Sequence, residues 1–342
     1  MQSRDRFLKA ARCQNNDRPP VWLMRQAGRS LPEYRALREQ HDFLEMLTTE
    51  KLITEISLQP WRRFHMDAVI VFADILLLPW KMGMDLQFID GVGPKFSHLI
   101  ESEEDLNKLK NIEPEKDLPF LLNALRMIRQ ETEKPLTPTL SHKGRGREDG
   151  NPALLGFAGS PWTVASYIMS DARDDSVVKQ VLERLTEETI VYLNAQVEAG
   201  VDALQIFDSW GGNLSPQDYA LWSAPYIKEI ISALKPTGVP VILYVKESGP
   251  LLEQMVSTGC DVLSVGWETP LAEVKKFKKV IQGNLDPDIL LKATPEEIRS
   301  ATKKMLEEMQ DYPGYIANLG HGVLPKTPVE NIAAFVETVK TK

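Results

Sequence analysis

A single α/β domain, closed as a (β/α)8 barrel of the TIM type, is the fold this sequence predicts. Three observations lead there. Short apolar runs recur along the chain and alternate with longer amphipathic stretches of helical spacing. Near-continuous apolar strands of that kind belong to a parallel sheet covered by helices on both faces. Seven runs are clear and no composition break divides the 342 residues, which favours one barrel over an open, doubly wound sheet. No GxGxxG follows any of the runs, which removes the best argument for a dinucleotide fold.

In chain order, a helical pattern from Thr48 to Phe64 precedes the first run, Asp67–Ala73. A second helix is predicted over Phe120–Thr132. The following segment, 136–152, is rich in Pro, Gly, Ser and charge; it reads as a solvated surface loop inserted into the domain. The second run, Ala153–Ser160, ends in Ser160-Pro161, a helix start. Asp174–Glu198 is a long amphipathic stretch stopped by Gly200. The third run is Asp202–Asp208, after which Ser215-Pro216 opens a helix. Val239–Lys246, Asp261–Trp267 and Val280–Leu285 are the next three runs. Thr294-Pro-Glu-Glu opens another helix, Tyr315–Gly320 is the seventh run, and Thr327-Pro-Val-Glu opens the last helix. An eighth strand falls either at Val21–Met24 or around Asp85–Asp90, and the sequence leaves both open.

The net charge of −8 argues against nucleic acid as a partner. An anionic substrate would need a local basic pocket within that repelling background. The two cysteines, Cys13 and Cys260, have no neighbour at metal-ligand spacing. Two isolated thiols fit a reducing compartment. The opening MQSRDRFLKAARCQ has no apolar leader core, and no stretch approaches about 18 apolar residues. A soluble, cytoplasmic protein without a membrane partner is expected.

Chemistry in such barrels sits at the carboxyl ends of the strands. Asp74 follows the first run and has apolar residues on both sides, an expensive place for an acid unless something binds it; the plain alternative is a turn cap. Asp208-Ser209-Trp-Gly-Gly follows the third run, its glycines serving either a ligand or a tight turn. Gly320-His321-Gly322 follows the seventh, with a side chain able to titrate near neutral pH. The other histidines, His41, His65, His98 and His142, have no comparable setting. Tyr167 lies four residues after Thr163 in GFAGSPWTVASY (156–167), so both face one side of a helix. In PVWLMRQAGR (20–29), Arg25 and Arg29 stand four apart in an apolar setting, with no acid nearer than Asp17 or Glu33. Guanidinium matches carboxylates or phosphates bidentately, although such arginines also pair with distant acids or lie along apolar surface.

Together these segments resemble the uroporphyrinogen decarboxylase family. The match runs from Arg4 to about Phe335, interrupted at 136–152. PVWLMRQAGR and GFAGSPWTVASY correspond to the two family signatures. IVFADIL (70–76), LQIFDSWGG (204–212), QGNLDP (282–287) and NLGHGVLP (318–325) fall in the family's order. The resemblance implies one (β/α)8 barrel, homodimeric, with neither metal nor organic cofactor. It implies conversion of uroporphyrinogen III to coproporphyrinogen III, with four acetates becoming methyls and four CO2 released. By the family's motifs Arg25 and Arg29 bind substrate carboxylates and Asp74 binds the pyrrole N–H groups. Tyr167, Ser209 and His321 complete the pocket, and Gln26, inside the first signature, contacts the substrate as well. Two residues depart from the pattern: Ser30 stands where the family often has Tyr, and Gly266-Trp267 where Asp-Trp is expected. The inserted segment is a third difference.

These residue types suit the reaction. Protonating an electron-rich pyrrole carbon makes the ring a cationic electron sink for decarboxylation, and a carboxylate at Asp74 stabilises that cation. The proton donor stays open between Arg25, whose guanidinium pKa exceeds about 12, and His321, which suits neutral pH better. Two rivals remain. Cobalamin-dependent methyltransferases on this scaffold need a His-x-Cys and a later Cys, which His321-Gly322-Val323 does not provide. A non-catalytic polyanion carrier would not require Asp74.

Overall fold

The computed structural model describes residues 1–89, 93–133, 150–170 and 174–341; most of the predicted inserted loop, 136–149, lies outside the described residues. All seven apolar runs form strands. They are β1 (Ala68–Ile70), β4 (Ala153–Gly159), β5 (Ala203–Asp208), β6 (Val241–Val245), β7 (Val262–Val265), β8 (Val280–Leu285) and β9 (Tyr315–Leu319). They pair in parallel in the order β1-β4-β5-β6-β7-β8-β9.

The gap between β9 and β1 is filled by the segment at Val21. The Ala317 N–H donates to Pro20 O at 2.9 Å on one side, and the Asp67 N–H donates to Val21 O at 2.8 Å on the other. Val21 bridges Ala317 in parallel. This short stave is the eighth strand position of the barrel. The alternative near Asp85 is not: β2 (Leu86–Ile89) and β3 (Gly93–Phe96) form a separate antiparallel hairpin.

The helices follow their caps. Ser160 accepts from the Thr163 N–H at 3.0 Å ahead of helix Pro161–Ile168. Asp174 caps Asp175–Glu198, and Thr294 forms a full capping box with Glu297. Two starts move. The helix predicted from Thr48 starts at Glu50 and runs to Phe64, because Thr49 is extended, and a separate short helix, Phe43–Thr48, precedes it. The last helix, Val329–Lys340, begins after Pro328 rather than Thr327.

Asp67, fully buried at the foot of β1, ties down the eighth stave. Its carboxylate accepts from Ser3 Oγ (2.7 Å), Arg6 Nη1 (2.7 Å), Arg18 Nη1 (2.7 Å) and the Val21 N–H (2.8 Å). Inside the barrel a buried polar chain joins four more elements. Trp22 Nε1 donates to Gln282 Oε1 at 3.0 Å; Gln282 Nε2 donates to Gln205 Oε1 at 3.0 Å and Ser264 Oγ at 2.9 Å. Each partner satisfies a polar group that would otherwise be costly there.

β1 is short because it leaves the wall early. After Val71 N–H bonds Leu155 O, the Phe72 N–H turns to Ser57 Oγ at 2.8 Å. β4 continues alone on that side. Buried Gln196, on helix Asp175–Glu198, bonds both the N–H and the C=O of Phe157 at 2.9 Å, replacing the missing strand neighbour. The departure carries Asp74 over the barrel's mouth.

Asp67→Asn keeps the shape but removes a charge shared by two arginines. Breaking one side of a buried ion pair costs about 3–5 kcal/mol. A urea titration is expected to show a loss of that size; an unchanged midpoint would refute the role given to Asp67.

Candidate active site

The polar residues predicted at strand ends lie at the carboxyl-terminal mouth, where the charge of Arg25 acts on both Asp74 and His321. Asp74 is half-buried, its Oδ1 accepting the Leu76 N–H at 2.9 Å. Burial raises its pKa, while the Leu76 N–H and the charge of Arg25 oppose the rise. No ion-pair partner touches the Asp74 carboxylate among the described residues. The turn-cap alternative is therefore also true, but it uses one oxygen and leaves the other. Tyr192, buried on helix Asp175–Glu198, has its phenol pushed up by burial and then by the Asp74 charge.

Arg25 follows the eighth stave directly and is held in a left-handed conformation, φ 59°. Its side chain is exposed and makes no hydrogen bond or ion pair among the described residues. A Cβ on Gly322 would fall 2.4 Å from Arg25 Cδ, so the glycine makes room for the arginine stem. Gly320 has the same use: a Cβ there would meet Trp267 N at 2.2 Å. The two glycines around His321 thus admit its neighbours. The imidazole is stacked between Trp267 (6.4 Å, 7°) and Tyr244 (6.0 Å, 21°). Burial, then Arg25 and Lys246, lower its pKa to about 4. His321 is therefore neutral at pH 7, which removes the neutral-pH match expected of it as an acid.

Arg29 is also exposed, but its charge is felt at the Tyr34 phenol rather than at Asp74. Gln26 is buried and occupied with the fold: Oε1 accepts the Leu23 N–H (3.0 Å) and Nε2 donates to Ala68 O (3.1 Å). It fixes the arginine arm to β1. Tyr167 is half-buried, edge-on to Trp210 at 6.0 Å, and its hydroxyl has no partner among the described residues. Ser209 is half-buried at the end of β5.

The turn around Ser209 is built by Asp208, to which sequence reasoning gave no role. Fully buried, it accepts from Ser160 Oγ (2.6 Å), Thr163 Oγ1 (2.9 Å) and Ser223 Oγ (2.6 Å). Gly211 lies against this carboxylate, and a Cβ on Gly212 would fall 1.8 Å from Lys246 O. The paired glycines serve close packing of the turn. Tyr244 and Trp267 were also missed; each reads in sequence as an ordinary aromatic within or beside an apolar run.

A family model described as uroporphyrinogen decarboxylase (URO-D) matches residues 2–342. The chain belongs to the uroporphyrinogen decarboxylase family. It is 40% identical to a uroporphyrinogen decarboxylase of Alkalilimnicola ehrlichii, over 98% of this chain and 93% of that protein. It is 41% identical to one of Cellvibrio japonicus, over 98% and 95%. Among solved structures, a methyltransferase from Methanosarcina mazei superposes with a TM-score of 0.82 at 21% identity, covering 100% of this chain and 99% of that one. At that identity the likeness speaks to the barrel fold alone.

The uroporphyrinogen decarboxylase pattern is altered at two places the structure explains in part. At Gly266, a Cβ would fall 2.2 Å from Glu268 Oε1, so the Glu268 carboxylate covers the spot where an acid was expected. Ser30 is buried with its hydroxyl unbonded, while Arg35 Nη1 clamps the carbonyls of Arg29 (2.9 Å) and Ser30 (3.0 Å). A methyltransferase-type thiolate centre is not assembled: Cys13 is exposed, and Cys260 is buried with its thiol pushed up to about 11.

His321 titrates lower folded than unfolded, so the unfolded chain binds the extra proton between its pKa of about 6.5 and the folded value of about 4. The stabilisation is complete above that window and is lost as pH falls through it. An NMR titration is expected to place the imidazole midpoint near 4; a midpoint near 6.5 would refute the stacked, cation-flanked setting.

Proposed function

We propose that this chain decarboxylates the acetate side chains of uroporphyrinogen III to give coproporphyrinogen III, as a carboxy-lyase of porphyrin and haem biosynthesis. The observation that carries the reading is Asp74: a half-buried carboxylate at the mouth, without an ion-pair partner among the described residues, with Arg25 close enough to oppose its raised pKa. A tetrapyrrole with inward N–H donors and a rim of carboxylates answers both charges. The N–H groups favour ionised Asp74, and Arg25 meets a carboxylate.

Protonation of a pyrrole ring carbon gives the cation, C–CO2 cleavage returns the electron pair to the ring and leaves an exocyclic methylene, a second proton converts that carbon to the methyl group, and loss of the first proton from the ring carbon restores the pyrrole. A unit charge about 4 Å from the cation contributes roughly 4 kcal/mol at an effective dielectric near 20. Asp74 supplies that charge where it grows, which is what accelerates a step. His321, neutral, offers a hydrogen bond rather than a stored proton. The reading therefore places proton delivery with Arg25 or with water held by it, and Arg29, Tyr167 and Ser209 as contacts to the substrate's rim. Gln26 holds the arm.

The same reading includes a homodimer in the cytoplasm that binds no nucleic acid or membrane. Family membership supports the first part and the net charge of −8 the second. Among the described residues no helix is long and apolar enough to cross a bilayer. No group of three or more His, Cys, Asp or Glu side chains among them is placed to hold a metal ion.

Anaerobic incubation with uroporphyrinogen, followed by oxidation and chromatography by carboxyl number, tests the activity; no loss of carboxyl groups would sink it. Asp74→Asn is expected to lower kcat by about three decades, the rate equivalent of roughly 4 kcal/mol, with the fold intact by circular dichroism. Near-normal turnover would refute the electrostatic role. For His321→Gln, the pH–rate profile between pH 6 and 8 is expected to keep the wild-type shape, since no imidazolium titrates there. A lost inflection would restore His321 as the acid.

A further inference from the structure

We infer that Lys246 is a further substrate-binding residue, a third cation that holds a rim carboxylate of the tetrapyrrole on the β6 side of the mouth. This rests on the proposed activity and adds a residue that no motif marked. Side chains alternate along a strand. On β6, Tyr244 points inward: its ring stacks on His321 and meets Phe207 at 6.0 Å, 66°. Lys246 is the first residue beyond β6, two residues after Tyr244, and its charge reaches the His321 imidazole on which Tyr244 stacks. The register places Phe207 beside Tyr244 and Asp208 beside Val245, so Ser209 and Lys246 open the neighbouring turns at the ends of β5 and β6. Its backbone is fixed, because the turn at Gly212 presses on the Lys246 carbonyl.

Two further facts favour a ligand role. Lys246 is the one Lys or Arg directly following any of the seven paired strands. Its charge, like that of Arg25, reaches His321, so the two cations share the space around that imidazole. Among the described residues the Lys246 ammonium pairs with the adjacent Glu247 alone, Nζ to Oε1 at 3.2 Å, with 36% and 54% of the two side chains exposed. Such exposed pairs bind weakly, so a substrate carboxylate can take the ammonium from Glu247. Lysine suits this place as a compact charge on a flexible stem, able to follow rim carboxylates as acetates become methyls.

The test is steady-state kinetics of Lys246→Gln and Lys246→Arg beside the wild-type enzyme, under anaerobic conditions with uroporphyrinogen. Lys246→Gln is expected to raise KM about tenfold, the loss of one charge-assisted hydrogen bond, with kcat within about twofold of wild type. Lys246→Arg is expected to restore most of the KM. The rise of KM with added salt is expected to be shallower in Lys246→Gln. An unchanged KM, or a fall in kcat alone, would overturn the inference while the wild-type activity stands. An inactive wild type would instead overturn the activity itself, and the inference with it. Lys246→Met, compared with wild type by thermal unfolding, separates packing from binding: a raised KM at an unchanged midpoint supports binding, and a KM that rises only with a lowered midpoint overturns it.

Discussion

Asp67 accepts five hydrogen bonds, from Ser3, Arg6, Arg18 (two) and the Val21 backbone, while fully buried. Much of the molecule depends on that arrangement. Val21 begins the stave that occupies the gap between β9 and β1, and Arg25 is the first residue beyond its apolar part. A buried anion at one end of the barrel thus sets the height at which a cation emerges at the other. Gln26 adds a second restraint by bonding Leu23 and Ala68. The segment carrying Arg25 is part of the barrel wall, held through Asp67 by the guanidiniums of Arg6 and Arg18 and through Gln26 by backbone, so its direction is fixed without using the Arg25 guanidinium.

Among the described residues the charges at the mouth are incompletely paired, and this is costly for the fold. Asp74 has one backbone donor and feels Arg25, yet burial still raises its pKa. Burial, and after it the charges of Arg25 and Lys246, lower the His321 pKa. The contrast with Asp67, Asp202 and Asp208 is instructive. Those buried acids are saturated: Asp202 takes Arg4 Nε at 2.8 Å, Arg129 Nη2 at 2.6 Å and the Leu154 N–H at 2.8 Å. The fold can therefore satisfy carboxylates, and does so wherever they serve stability. Asp74, at the carboxyl ends of the strands, differs: among the described residues it has one backbone donor, and under the proposed activity the pyrrole N–H groups would supply the others.

The barrel was legible because its strands are apolar on both faces and its helix starts carry Pro and capping residues. The eighth stave could not be decided. Val21–Met24 and the Leu86–Ile89 part of Asp85–Asp90 are both short runs with apolar residues, and the Asp67 network, made by residues 3, 6, 18, 21 and 67, ties the first to the wall. Asp74, Arg25, Tyr167, Ser209 and His321 were visible as polar residues in apolar company, and the family motifs gave them roles. The state of His321 was not visible, since its pKa is set by burial and by cations 75 and 296 residues away in the chain. Gln26 shows the opposite failure: it lies in a motif, yet its amide is occupied by backbone. Lys246 was passed over because a lysine ending a strand looks like a boundary marker.

The glycines explain how so many side chains share a small space. Gly320 admits Trp267, Gly322 admits Arg25, and Gly266 admits the Glu268 carboxylate. None of the three has a positive φ, so their value is the missing Cβ rather than backbone freedom. At Gly266 the consequence is chemical. An acid attached at that position would be fixed by one short side chain, whereas Glu268 reaches the same spot from two residues further along an exposed turn. Its charge is still felt inside, where, after burial, it helps push up the Tyr244 phenol. Tyr244 also donates to Gly320 O at 3.3 Å and stacks on His321. A negative charge thus stands beside Gly266 at the mouth, carried on the longer side chain of Glu268 rather than at the glycine's own position.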